Sequence, residues 1–464
     1  MKYSGQKIIV AGGGLAGCEA AWQIASRGIN VILYEMRPLI QTGAHITDHL
    51  AELVCSNSLG STQLDRASGL IKEELRLSGS LLLRCAEETS LPAGGALAVD
   101  REAFSKLVTS KITHHPRIEL LRQEVCYVPE SPTVICTGPL TSQRLAESIA
   151  SLTGMENLYF YDALAPIVTR DSIDMQIAFL GSRYNNGLLS EGDYINCPMT
   201  KAQYDSFVDA LVVGKQISLR EFENGIANGV TAGNPKYFEG CLPIEVIANR
   251  GHNTLSFGTL RPIGIKDPRN GKHNYAIVQL RQDNLAGSLY NLVGFQTNLI
   301  YPEQNKIFRM IPGLENAEFV RYGQMHRNTF IASPRLLEAT LQFKSNSGLF
   351  FAGQITGVEG YMSNIATGLL AGINAVRFLE NQPYFTPPRT TMIGALCNYI
   401  ANSPVEHFQP MKANLGLLPP LENSIKSKQQ RAQEYSSRSI VDMTTYIHAN
   451  QSMFDRKDDP DYAK

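Results

Sequence analysis

The chain has 464 residues, about three times a typical domain of ~150 residues, which predicts two or three domains. Hydrophobic residues make up 43% and charged residues 18%, enough for a packed core, so disordered, collagen-like and disulfide-scaffold classes are excluded. Lys plus Arg number 42 against 43 Asp plus Glu, a net charge of -1, which argues against a dedicated basic nucleic-acid module and leaves room only for a local basic face offset by acids elsewhere.

No apolar run reaches the ~18 residues of a membrane span. The N-terminus runs straight into Ile8-Ile9-Val10, without the apolar region and cleavage site of a secretory signal, so a cytosolic protein is expected. Eight cysteines (18, 55, 85, 126, 136, 197, 241, 397) are scattered with no C-x-x-C pair, so neither a disulfide framework nor a metal site is expected.

Lys7 to Ala11 reads as a buried strand. It meets Gly12-Gly13-Gly14-Leu15-Ala16-Gly17, a G-x-G-x-x-G loop. Cys18 to Arg27 then reads as a helix stopped by Gly28, and Asn30 to Tyr34 as a second strand ending at Glu35. In such a unit Gly12 permits the tight turn, and Gly14 lets backbone N–H groups approach a pyrophosphate at the positive helix end. Gly17 allows close helix–strand packing, and Glu35 accepts from ribose hydroxyls. Strand, helix and acid are all in place, which raises the glycine pattern from a weak fingerprint to a dinucleotide site.

Two later segments point to FAD rather than NAD. Thr133-Val134-Ile135-Cys136-Thr137-Gly138 is a strand ending in Thr-Gly and looks like the second motif of two-dinucleotide-fold flavoproteins. Gly348 to Gln354 is a strand ending in Gly353-Gln354 and resembles the segment that holds the ribityl and pyrophosphate part of FAD. A helix is expected to begin near Ile365, with Thr367 and Gly368 at its positive end facing the flavin. There is no second G-x-G-x-x-G, so a nicotinamide reductant has no separate Rossmann site.

Between about 155 and 330 the pattern changes to strands (Tyr275 to Leu280, Leu292 to Phe295) and a helix (Met199 to Val213), an inserted α+β domain. Ile226 to Lys236 reads as a loop leading to Cys241, which stands between Gly240 and Leu242-Pro243 with Glu239 and Glu245 on either side. Cys55 lies in a polar, turn-forming stretch. By itself each cysteine reads as a small buried hydrophobe, and His45, His49 and His326 as structural residues. Basic residues (Arg250 with His252; Lys266 with Arg269 and Lys272; Arg321 with Arg327) with interleaved aromatics (Tyr237, Phe238, Phe257, Tyr275) read as a solvated face before they read as a nucleic-acid face. Met392 to Asn402 reads as an apolar helix, and from Glu422 a polar helix is expected that frays towards the end.

Several longer segments carry a resemblance: Gly12 to Gly17, Tyr34-Glu35-Met36-Arg37-Pro38, Glu52 to Ser58, Leu91 to Arg101, Tyr194 to Met199, Phe238 to Pro243, Gly294 to Thr297, Tyr322 to Thr329, and Phe351 to Tyr361. With them, residues 5 to 420 resemble the folate- and FAD-dependent tRNA uracil-5-methyltransferases (TrmFO, formerly Gid). The resemblance implies an α/β fold: a discontinuous FAD-binding Rossmann-type domain (1–155 and 331–385), an inserted RNA-facing α+β domain (156–330) and a C-terminal helical segment with a polar tail (386–464). It implies that FAD carries a one-carbon unit from 5,10-methylenetetrahydrofolate to C5 of a T-loop uridine, with NADPH or NADH as reductant and the T-arm of tRNA as partner. It puts Cys241 in the role of the nucleophile that adds to uracil C6, Cys55 in that of a second thiol near the flavin, and Arg37 beside Glu35 at the cofactor. The same chemistry on ribosomal RNA, or a flavin oxidoreductase without RNA, stay open on the residues alone. Three departures stand out: the long loop at 226–236, Ser363-Asn364 where an acid and a small residue are expected, and a tail after 421 that reads as extra.

Overall fold

A computed structural model describes residues 7–42, 44–130, 132–154, 158–163, 165–185, 192–217, 242–271, 273–284, 286–323, 325–405 and 408–460, with backbone alone for 158–163, 185 and 325–328. Cys241, the loop at 226–236 and Lys272 lie outside the described residues.

Strands β1 (Lys7–Ala11), β2 (Asn30–Glu35), β3 (Ile118–Arg122) and β4 (Thr133–Ile135) come from the first part of the chain. A second group comprises β5 (Ile167–Thr169), β6 (Phe179–Gly181), β7 (Tyr194–Met199), β8 (Ala276–Gln282), β9 (Leu289–Leu292) and β10 (Phe319–Arg321). The last two are β11 (Gln342–Phe343) and β12 (Asn346–Phe351). The helices used below are α1 (Leu15–Ala25), α2 (Ala67–Leu77), α3 (Arg101–Thr113), α4 (Tyr361–Leu379), α5 (Met392–Asn402) and α6 (Lys428–Ala449).

The first sheet runs β11-β12-β4-β1-β2-β3. All its pairings are parallel except β11–β12. Val10, Val31, Leu33, Val134, Phe350 and Phe351 are buried in it, as parallel strands covered on both faces require. From β3 to β12 the order is that of a dinucleotide-binding sheet, with its switch point between β1 and β4. The second sheet, β6-β7-β8-β9-β5-β10, is antiparallel throughout. It has its own core around Tyr204, Phe207, Phe295 and Phe308, separate from the core that residues 8–149 and 331–453 build together. The passages into and out of it, Leu158–Ala163 and Met325–Phe330, pair antiparallel as a connecting ribbon.

The first fifty residues fold as their pattern predicts, although α1 starts at Leu15, inside the glycine loop. The other helix boundary differs more. α4 begins at Tyr361, after Gly360, so Thr367 and Gly368 lie in its interior and not at a positive end. Gly360, at φ 85°, stands immediately before its first residue. α4 packs on α1 through small residues: a Cβ on Gly368 would stand 2.2 Å from the Ala16 carbonyl oxygen.

As far as Pro460 the C-terminal segment does not fray. α6 lies on α2, and the chain after it is tied down. Arg456 Nη1 donates to Gly79 O at 2.7 Å, and Arg117 Nε to Asp458 Oδ2 at 2.6 Å. The backbone N–H of Asp458 donates to Ser26 O at 3.1 Å. Beneath α6 the buried carboxylate of Glu74 accepts from Ser439 Oγ at 2.6 Å and from the Met392 and Ile393 N–H groups that open α5, at 2.6 and 2.8 Å. Among the described residues no helix is long and apolar enough to cross a membrane.

Two outcomes follow. Gly368→Val drives a side chain into the backbone of α1 and costs about 3 kcal/mol, the upper end for overpacking; a melting temperature equal to that of the parent shows the contact to be looser than drawn. Burial pushes Glu74 up to about 7, against the hydrogen bonds from Ser439, Met392 and Ile393 that lower it. A carboxyl raised in the folded state contributes stability that is complete below its ordinary value of 4.5 and is lost as pH rises through about 7. Unfolding free energy should therefore fall by up to about 3 kcal/mol across that window, and Glu74→Gln should flatten the fall; denaturant titrations at about pH 5 and pH 7.5 that show the same slope for both proteins refute this.

Candidate active site

At the switch point of the first sheet a cleft of about 1010 Å³ opens between the ends of β1 and β4. Its wall contains Gly12, Gly13, Gly14, Leu15 and Ala16 from the first turn, Glu35 and Arg37 after β2, Thr137 and Gly138 after β4, and Gly353 and Gln354 after β12. Gly12 has φ 103°, and a Cβ there would lie 2.6 Å from the Cys136 carbonyl oxygen, so only glycine permits this turn. At Gly14 and Gly138 a Cβ would meet nothing within 4 Å. Those positions face open cleft beside the N-terminus of α1, a cradle of the kind that accepts phosphate groups.

Gly17, Thr367 and Gly368 do not line the cleft; they stand one layer behind it. A Cβ on Gly17 would lie 1.8 Å from the Gly12 carbonyl oxygen. Thr367 Oγ1 accepts from the Gly353 N–H at 2.9 Å and so fixes the turn after β12. In front of it the buried Asn364 Oδ1 has no hydrogen-bond partner among the described residues, and Asn364 lines the cleft. A buried acceptor without a partner is the mark of a site shaped for a donor that arrives with a ligand. The cradle and this acceptor fit a dinucleotide with a polar ring system.

Glu35 has protein partners on both oxygens. It accepts from the Gly13 N–H at 3.0 Å through Oε2, and from the Arg37 N–H and Nε, each at 3.0 Å, through Oε1. Burial opposes its ionisation, but Arg37 outweighs burial and holds the carboxyl below its ordinary value. Arg37 also reaches Glu52 Oε2 at 3.2 Å. Glu35 therefore joins the glycine turn to the 37–52 loop as well as lining the cleft.

Cys55 stands next to Val54, which lines the cleft. The Tyr361 hydroxyl, from the first turn of α4, accepts from the N–H groups of Cys55 at 2.9 Å and Ser56 at 3.0 Å. From the other side three arginines hold the same loop. Arg281 donates to Asn57 Oδ1 at 2.8 Å and Ser56 Oγ at 2.7 Å. Arg101 donates to Leu53 O at 3.0 Å, and Arg321 to Val54 O at 3.3 Å. Asp283 pairs with Arg101 at 3.1 Å. Burial pushes Arg321 down to about 10 and also lowers Arg281. The second sheet supplies Arg281 and Arg321, so Cys55 sits where the two sheets meet.

The seven described cysteines are free. Burial raises Cys18, Cys136 and Cys197 far above an ordinary thiol, and pushes Cys85 and Cys397 up to about 12. Cys55 and Cys126 are the partly exposed pair, and Cys55 alone of the two adjoins the arginine group. Among the described residues no group of His, Cys, Asp or Glu is placed to hold a metal ion.

Tyr361, Asn364, Arg101, Arg281 and Arg321 were not marked out as site residues by their sequence. Tyr361 closes the Phe351–Tyr361 segment, which was the available signal. Arg101 likewise closes the Leu91–Arg101 segment and Asn364 stood out as a departure, whereas Arg281 and Arg321 reach the loop across more than two hundred residues and no spacing marks their role.

The strand order, the glycine turn at the switch point and the inserted antiparallel sheet define a two-part, FAD-binding Rossmann-type protein. The solved structure of Aquifex aeolicus GidA in its form II crystal has this fold: the TM-score is 0.65 at 15% identity, covering 97% of this chain and 73% of that one. The family model described as Glucose inhibited division protein A (GIDA) matches residues 7–383. The curated methylenetetrahydrofolate–tRNA-(uracil-5-)-methyltransferase TrmFO of Bacillus cytotoxicus is 52% identical over 443 residues, 96% of this chain and 99% of the relative. Those of Bacillus licheniformis (54%; 94% and 97%) and Anoxybacillus flavithermus (52%; 95% and 99%) are similar. The chain belongs to the GIDA family and to the TrmFO family. A match over 96% of the chain takes in part of the segment after residue 421, so that tail is not an addition peculiar to this protein.

The cradle yields a clean test. Gly14→Val meets no protein atom at its Cβ, so the flavin-free protein should melt as the parent does while flavin binding weakens roughly tenfold or more, 1.4 kcal/mol per decade. Undiminished binding in a flavin titration shows that the cofactor does not use this turn.

Proposed function

We propose that the chain is a methylenetetrahydrofolate-dependent tRNA (uracil-5-)-methyltransferase. The observation that carries the reading is identity of 52–54% to curated TrmFO proteins over nearly the whole chain. The cleft is consistent with it. When bound there, FAD supplies a carrier for the one-carbon unit of 5,10-methylenetetrahydrofolate, with NADPH or NADH as reductant.

The chain's own residues divide the remaining work. Gly12, Gly13, Gly14, Leu15 and Ala16 hold the pyrophosphate at the N-terminus of α1. Glu35 and Arg37 form the adenosine end, and Thr137, Gly138, Gly353 and Gln354 the opposite wall. Gly17, Thr367 and Gly368 fix those walls from behind. Residues 156–330 form the RNA-facing unit between the two parts of the FAD domain (1–155 and 331–385), with 386–464 packed on the back.

Uracil C5 is a weak nucleophile. Addition of the Cys241 thiolate to C6 places negative charge on the C4–O4 enolate and makes C5 reactive. Once C5 has bonded to the one-carbon unit, Cys55 would take the C5 proton as that unit leaves its carrier, giving a C5 methylene with Cys241 still on C6; a hydride equivalent from NADPH or NADH would turn the methylene into methyl and expel Cys241, which restores the ring. The arginines around residues 53–57 hold the loop that carries that thiol. The T-loop uridine leaves its stack to reach the cleft.

The test supplies methylenetetrahydrofolate labelled in its methylene, NADPH, and either unmodified tRNA or ribosomal RNA. Label is expected in 5-methyluridine of tRNA. Label in ribosomal RNA alone reassigns the substrate, and label in neither leaves a flavin oxidoreductase. Cys241→Ala should abolish transfer with flavin content unchanged. Cys55→Ala should slow it by roughly 10²–10⁴-fold, the range of a positioned proton acceptor; transfer at the parental rate removes either cysteine from its role.

A further inference from the structure

We infer that Tyr184, on the connection between β6 and β7, is a stacking platform for an unpaired base of the RNA substrate, flanked by Arg183 and Arg261 as phosphate contacts. The inference rests on the proposed RNA substrate and adds where that RNA is held.

The first observation is strain. Tyr184 has φ 57° and ψ 23°, a left-handed conformation that a bulky side chain avoids, and its ring is 66% exposed. Such an outlier persists only where its surroundings impose it, and it gathers at functional positions. Here the surroundings are visible. The Tyr184 N–H donates to Gly264 O at 2.7 Å. Arg183 donates to Ile263 O at 2.6 Å, Arg261 O at 3.0 Å and Gln279 Oε1 at 3.1 Å.

The second observation is the seat of the ring. A Cβ on Gly264, which has φ 82°, would lie 3.0–3.1 Å from Cζ, Cε1 and Cε2 of Tyr184. One side of the ring therefore rests on glycine backbone, while the residue as a whole stays 66% exposed. A rigid aromatic held in this way meets a base at little cost in conformational entropy, and stacking tolerates any base because every base has a π face.

The third observation is charge. Among the described residues neither Arg183 nor Arg261 has a carboxylate partner, and Asp267 on the same domain is engaged by Arg269 at 2.6 Å. Burial and the neighbouring Arg261 both lower Arg183 from its ordinary value. Two close guanidiniums without an acid suit a polyanion better than an apolar protein surface.

The platform also connects to the active site. On the β7 side of the same connection Asp193 accepts from the Gly94 N–H of the first domain, and Tyr194 Oη donates to Ala93 O at 3.2 Å. Tyr194 stands opposite Arg281, which holds Ser56 beside Cys55.

The test measures filter binding of unmodified full-length tRNA to the flavin-loaded protein at several salt concentrations, with flavin content as the folding control. Tyr184→Phe should bind within about twofold of the parent. Tyr184→Ala and Tyr184→Leu should bind roughly 5- to 150-fold more weakly, the range for one lost stack; the leucine keeps apolar cover over Gly264, so a merely structural role predicts recovery there. Arg261→Ala should reduce the slope of log affinity against log salt by about 0.9. Equal affinity for parent and Tyr184→Ala overturns the inference, as does equal weakening by Tyr184→Phe, or a change in oligomeric state by light scattering with tRNA affinity unaltered. If the parent itself binds no tRNA, the platform falls together with the proposed function, whereas tight parental binding that Tyr184→Ala leaves intact sinks the platform alone.

Discussion

A Cβ on Gly368 would stand 2.2 Å from the carbonyl oxygen of Ala16, and one on Gly372 2.7 Å from that of Ala20, so α1 and α4 touch along their backbones with no side chain between them. These helices come from opposite parts of the chain, one within its first 25 residues and the other beyond residue 360. Their contact closes the discontinuous domain. It also sets the cofactor crevice, because the end of α1 that carries the glycine turn and the end of α4 that carries Tyr361 and Asn364 are brought to one side of the sheet. Thr367 lies next to the contact residue Gly368, and its hydrogen bond to the Gly353 N–H carries the position of α4 into the turn after β12. Close packing transmits such a constraint because interiors yield little to small displacements.

The loop at residues 53–57 inherits its position from that arrangement. On one side it hangs from the Tyr361 hydroxyl, and on the other from Arg101, Arg281 and Arg321. Burying three guanidiniums against one carboxylate, Asp283, is unfavourable by itself. Carbonyl and side-chain acceptors of the loop offset part of that cost, so the loop and the arginines order each other. Arg281 and Arg321 belong to the antiparallel sheet, while Arg101 and Tyr361 belong to the parallel domain. The half-exposed thiol is thereby fixed relative to both units, the arrangement needed where one unit holds a cofactor and the other faces a substrate.

Much of the parallel domain was legible from sequence because its signals are local. Val10, Val31 and Leu33 lie in short apolar runs, Gly12 to Gly17 stand at fixed spacing, and Glu35 ends the second run. The start of α4 was misplaced because Gly357 and Gly360 look like helix breakers, although Gly360 is its N-cap. Glu35 showed its acid and its neighbour Arg37 but not the Gly13 N–H, which meets it only when the turn closes. The roles of the arginines at 281 and 321 were invisible for a stronger reason: nothing in a sequence marks which of many arginines will meet a loop more than two hundred residues away. The tail was misread because its polar residues suggested solvent, whereas Arg456 and Asp458 find carbonyls and charges on the back of the first domain.

That misreading changes how the near-zero net charge is understood. Asp458 and Asp459 are spent on Arg117, Arg84 and Arg456 at 2.6–3.5 Å. At such separations the members of a pair cancel each other's field over distances longer than the ~8 Å at which salt screens exposed charges. An unpaired guanidinium keeps its field up to that limit. The balance of 42 against 43 thus conceals two kinds of charge: paired ones that fasten the C-terminal segment, and ones without a carboxylate partner among the described residues, such as Arg183 and Arg261 beside the inserted sheet. Attraction for a polyanion depends on the second kind, and so a chain of net charge -1 is no less able to hold RNA at one face than a basic one.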